Sequence, residues 1–118
     1  MNFFKALFGS SEENSEDKKV KKKKKNFDVF KYDGVRALKM GEFVYAIKCF
    51  NSALEIKEDL EIRDYLSQAL IHNNELLPAY EQLRIISEAR PDNQAVMLMI
   101  ARVTYMLEDY NAMADACE

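Results

Sequence analysis

From Phe27 onward, apolar residues recur at helical spacing in stretches of about a dozen positions. Short polar breaks separate the stretches at Met40-Gly41, Lys57-Glu58-Asp59, Asn73-Asn74, Pro91-Asp92-Asn93 and Leu107-Glu108-Asp109. The pattern predicts six helices. Gly41 and Asn74 tolerate the left-handed backbone that ends a helix, and Asp59 and Asp92 have carboxylates able to accept bonds from the first amides of the next. Pro78 falls in a first turn, where its missing donor costs little. Before this body, Phe3, Phe4, Leu7 and Phe8 share one face of a two-turn helix that Gly9 stops, too short to order in water without a lipid surface or a protein groove. The stretch Gly9–Asp17 has no apolar residue, and only Val20 interrupts the run Lys18–Lys25. Residues 1–26 are therefore expected to form a disordered arm with a short amphipathic start.

The breaks recur about every 33 or 34 residues, which is the spacing of a repeated two-helix unit. In that register Gly41-Glu42-Phe43, Asn74-Glu75-Leu76 and Glu108-Asp109-Tyr110 align as turn, acid and apolar residue. Ala46, Ala79 and Met113 follow, then Phe50, Leu83 and Cys117. Gly34, Ser67 and Ala101 align as small residues where two helices cross closely.

These residues resemble the tetratricopeptide repeat family, whose unit is a helix-turn-helix of 34 residues with small residues at the helix crossing and a proline near its end. The first unit carries the likeness best, with Phe30, Gly34, Leu38, Gly41, Phe43, Ala46, Phe50, Ala53 and Leu54 in expected slots, and Pro91 fits the end of the second. The second departs from the pattern at Asn74 and Ile86, and the third stops within its second helix. The resemblance implies an all-α fold, a right-handed superhelix of about three hairpins over residues 27–118, with units near 27–59, 60–93 and 94–118. The last of these is incomplete, which leaves Tyr110, Met113, Ala114 and Cys117 with no helix to cover them and predicts a fragment of a longer repeat protein or a self-associating end.

Composition agrees with one helical domain. The chain has 118 residues, of which 48% are hydrophobic, with only 3 Gly and 2 Pro, too few turn formers for a sheet protein. No run of eighteen apolar residues or signal-peptide order is visible, so a cytoplasmic location is expected, with membrane association of the arm left open. Charge divides the chain. Residues 1–26 hold eight Lys against four acids, a net +4, while residues 27–118 hold nine Lys or Arg against sixteen acids, a net −7. A basic arm on an acidic body suggests contact with an anionic surface.

Catalysis is not indicated. The three glycines are isolated, so no phosphate loop forms, and the single histidine, His72, reads as a cation at a helix C-terminus. Cys49 and Cys117 read as reduced core thiols, and no metal or cofactor set is recognisable. Carboxylate pairs such as Glu58/Asp59 read as caps and solvated charge. Met97, Met99, Met106 and Met113 read as core filling before adaptable surface.

Function then rests on binding. In the family resembled, the first helix of each unit lines a concave groove for a peptide or a partner's helix. Its counterparts here are Lys31, Val35, Leu38 and Lys39 in the first unit, Asp64, Gln68 and Ile71 in the second, and Leu98, Arg102 and Tyr105 in the third. Lys31, Lys39 and Arg102 are expected to pair with acidic groups, and Val35, Leu38, Ile71 and Tyr105 to supply apolar contact. The branch that grips C-terminal carboxylates of chaperones is matched only at Lys31. The expectation is a protein-binding scaffold with no enzymatic activity. The alternative is an adaptor recruited to an anionic membrane by residues 1–25, with Phe3, Phe4, Leu7 and Phe8 inserted. Nucleic acid is disfavoured as the partner of the lysine run.

Overall fold

The computed structural model describes the backbone of residues 2–116 and the side chains of residues 18–111. Among these residues there are five α-helices and no strand: α1 (Asn2–Lys39), α2 (Phe43–Ile56), α3 (Leu60–His72), α4 (Leu76–Ala89) and α5 (Gln94–Ala116). The all-α class follows directly from the spacing of apolar residues. Each helix packs on the next in the chain, and α1 also touches α3.

Four of the five expected breaks separate helices. Gly41 (φ 79°) and Asn74 (φ 62°) both adopt the left-handed conformation. Around Gly41, the Glu42 amide donates to Ala37 at 2.8 Å and the Gly41 amide to Leu38 at 3.2 Å. Around Asn74, the Glu75 amide donates to Leu70 at 2.8 Å and the Asn74 amide to Ile71 at 3.0 Å. Both ends thus satisfy their last carbonyls by one and the same paired-bond cap. At the other kind of break, Asp59 Oδ1 accepts from the Ile62 amide at 3.1 Å, as its position predicts. The cap of α5 is Asn93, whose Oδ1 accepts from the Val96 amide at 3.3 Å, so the expectation for Asp92 is off by one residue.

One expectation is corrected, and one element is longer than the periodicity indicates. The backbone of α1 is continuous from Asn2. Phe27, Gly34 and Ala37 anchor the far end of α1 in the core, so nucleation is already accomplished there. Lysine then extends the helix with little loss of side-chain freedom. Residues 18–26 are all exposed. The amphipathic start at Phe3, Phe4, Leu7 and Phe8 lies outside the described side chains. The correction is at Leu107-Glu108-Asp109, where α5 runs on without a turn. None of those residues favours positive φ or lacks an amide, and Leu and Glu are good helix formers. The third unit is one helix rather than a hairpin; Met113, Ala114 and Cys117 lie outside the described side chains.

The interior is built in two linked clusters. The first joins α1 to α4 through Phe27, Phe50, Ile62, Leu66, Leu70 and their neighbours. The second joins α4 to α5 through Leu76, Leu83, Ile86, Val96 and Val103, and Ile71 packs against both. Buried Gly34 sets the first crossing, since a Cβ there would stand 2.5 Å from the Phe50 ring. Ser67 is equally buried, and its hydroxyl donates to the Asp64 carbonyl at 2.6 Å, leaving no orphan polar atom. Ala101, the third small residue, is exposed because no described helix lies across it. Both edges expose apolar side chains. On α1, Val29 and Tyr32 are 46% and 76% exposed beside Asp33 and Arg36. On α5, Met97, Leu98 and Tyr105 are 57%, 66% and 71% exposed beside Ala101.

Candidate functional site

Where α1 touches α3, Val35 and Leu38 of the one and Ile71 of the other pack on the same core cluster. Lys31 Nζ lies 3.4 Å from Asp59 Oδ2 and 3.3 Å from Glu61 Oε1, bridging α1 to the start of α3. Burial opposes the charge on its ammonium, but the bonds to Glu61 and Asp59 outweigh it and raise the lysine above its usual value. Lys31 thus makes two ion pairs within the chain while its side chain stays 28% exposed. Val35, Leu38 and Ile71 are half-buried against the core clusters, so much of the apolar surface expected for a partner is already in use. Lys39, Leu98, Arg102 and Tyr105 are exposed, and Gln68 is half-buried, with its amide 3.4 Å from Asp64 Oδ2.

Next to this ion pair, between α3 and the start of α5, lies a cavity of about 300 Å³. Its apolar wall is Leu60, Ile86, Val96 and Met99, and its polar lining includes Glu61, Asp64, Arg90 and Asn93. Burial pushes the Asp64 carboxyl above its usual value against the lowering effect of Gln68, and Glu61 adds repulsion. Among the described residues no Lys, Arg or His lies within 4.0 Å of it. Its neighbour Asp59 goes the other way. Burial works against ionisation there, yet the Ile62 amide and the Lys31 ammonium together hold it below the usual range.

No protein-family model, curated protein or solved structure matches the chain. The site must be judged on its own chemistry.

Arg63 ties the loop before α3 to α4, donating from Nε and Nη2 to Glu58 and from Nη1 to Gln82 Oε1 at 2.7 Å. That bond to Arg63 holds Glu58 below the usual carboxylate range. The pair Glu58/Asp59 is thus bound on both sides rather than merely solvated. His72 closes the last turn of α3 and stacks on Phe43 at 4.9 Å between ring centroids, joining α3 to the first turn of α2. Cys49 is buried, and burial raises its thiol against the lowering effect of its bond with Tyr45. Cys117 lies outside the described residues. Met99 and Met106 pack against the second cluster, whereas Met97 is exposed. Among the described residues no helix is long and apolar enough to cross a membrane.

Sequence reasoning named Asp64 but missed Arg90, Asn93 and Val96 as its surroundings. The signal was available: the cap of α5 stands 34 positions after Asp59, so whatever faces Lys31 at one junction has a counterpart facing Asp64 at the next.

Proposed function

We propose that this chain is a non-enzymatic protein-interaction module of the tetratricopeptide repeat type, a right-handed stack of helix pairs that receives a peptide or a partner's helix on the face shared by α1, α3 and α5. The observation that carries the reading is the repeated turn. Gly41 and Asn74, 33 positions apart, close their helices with the same pair of hydrogen bonds, and Lys31 then holds the first helices of successive pairs side by side. Exposed Lys39, Leu98, Arg102 and Tyr105 give that face both charge and apolar area. The test is capture of partner from extract of the source cells by three proteins: the natural chain, the pair Lys39→Glu/Arg102→Glu, and the pair Lys48→Glu/Arg84→Glu on α2 and α4. Loss of capture with the first pair alone supports the reading. Loss with the second pair alone, or equal capture by all three, overturns it.

A second reading is favoured by one feature. Lys18, Lys19 and Lys21–Lys25 lie on an exposed stretch of helix ahead of the packed body. Each lysine near an anionic leaflet contributes about 1 kcal/mol of attraction. As an adaptor, the chain would co-sediment with vesicles of phosphatidylcholine and phosphatidylserine at low salt, and would lose that property when residues 1–26 are removed. A full chain that stays in the supernatant rules this reading out.

A further inference from the structure

At the two junctions between successive first helices, the chain solves the same geometric problem with different charges. At the α1/α3 junction, the ammonium of Lys31 sits against Asp59, the cap of α3, and Glu61 in its first turn. Thirty-three positions after Lys31 stands Asp64, and with the two caps aligned, 34 positions on, Asn93 and Ala95 take the slots of Asp59 and Glu61. The cap is kept, with Asn93 bonding the Val96 amide as Asp59 bonds that of Ile62. The cation is lost. In its place is the cavity of about 300 Å³, with Asp64 half-buried on one side and an apolar wall on the other.

We infer that this cavity is a subsite for a lysine side chain of the partner, whose ammonium meets Asp64 while its alkyl stem lies along Leu60, Val96 and Met99. This rests on the interaction-module reading and names the chemistry of one contact within it. Three features fit a long basic side chain. The walls accept methylene groups and the carboxylate accepts the charged end, the division by which such side chains bury their stems. Among the described residues no cation lies within 4.0 Å of the Asp64 carboxylate, and its hydrogen bond from Gln68 is long at 3.4 Å. Glu61, already bonded to Lys31, also lines the cavity and adds negative potential. Arg90 also lines the cavity, but it is exposed and among the described residues forms no ion pair with either acid within 4.0 Å. A metal ion is a poorer match, because no group of three or more His, Cys, Asp or Glu able to hold one occurs among the described residues.

The experiment is an NMR titration of backbone amides in the full chain with acetyl-lysine N-methylamide. Acetyl-norleucine N-methylamide, with the same alkyl stem and no charge, is the control. The lysine probe is expected to move the amides of Asp64, Val96 and Met99 to saturation, and the norleucine probe to move them little. Asp64→Asn, which keeps the shape, is expected to weaken lysine binding about tenfold, the loss of one charge-assisted hydrogen bond. Equal response to both probes, no response to lysine, or unchanged affinity in Asp64→Asn overturns the inference. If the lysine probe fails while Lys39→Glu/Arg102→Glu still loses partner capture, this subsite falls and the interaction-module reading stands.

Discussion

Gly34 has no room for a methyl group. Its added carbon would stand 2.5 Å from the ring of fully buried Phe50, so Gly34→Ala is expected to cost about 1–3 kcal/mol through overpacking, despite alanine's better helix propensity. Urea unfolding monitored by circular dichroism checks this. Backbone strain decides at the turns instead. Gly41 has open space around it but φ of 79°, so Gly41→Ala is expected to cost about 1–2 kcal/mol, while Asn74→Gly, at φ 62°, is tolerated. Asp64 carries a prediction of the opposite sign. Its folded value lies above 3.8, so the ionised carboxylate opposes folding at neutral pH and the penalty fades as pH falls toward 3.8. Asp64→Asn should therefore raise the urea midpoint at pH 7 and leave it unchanged near pH 3. Asp59 and Glu58, held below 3.8 and 4.5, stabilise the fold at neutral pH, and that contribution is lost as pH falls through their lowered values. A stability gain at pH 7 alongside weaker lysine binding would mark Asp64 as a residue kept for contact rather than for folding.

At the scale of the element, helix boundaries were legible where a residue has an unusual backbone. Gly41, Asn74 and Pro91 each mark a real turn, and Asp59 a real cap. The boundary expected at Leu107-Glu108-Asp109 rested on alignment alone, and with no such residue present the helix continues. The extension of α1 was hidden for the converse reason. Composition reports what a segment can bury, and residues 18–26 bury nothing, yet a helix nucleated elsewhere can run through them. Such a helix has only its own hydrogen bonds. Hydrogen exchange is expected to show amides of residues 18–26 exchanging far faster than those of Val35–Lys39, where α1 is packed. Equal protection across α1 would mean that the lysine segment has a partner surface.

Across the whole molecule, the all-α class could be read from periodicity, and so could the pairing of neighbours. The candidate site was legible only in part, because a side chain's position along a helix does not reveal whether its charge is already used. Lys31 was expected to meet acidic groups of a partner and has acidic partners within the chain, and Asp64 was read as one groove residue among ten and sits beside a cavity. Since the described part of the arm contributes no buried residue, removing residues 1–26 should leave the melting temperature unchanged while taking the net charge from −3 to −7. Differential scanning calorimetry of the two proteins decides that. A drop of several degrees would show that the arm is part of the folded unit.

Large apolar side chains stay uncovered on both the first and the last helix, Val29 and Tyr32 on α1 as well as Met97, Leu98 and Tyr105 on α5. Such surface is kept apart from its like mainly by the charge around it. Added salt screens that charge, so it is at high ionic strength that copies of the chain are expected to adhere first.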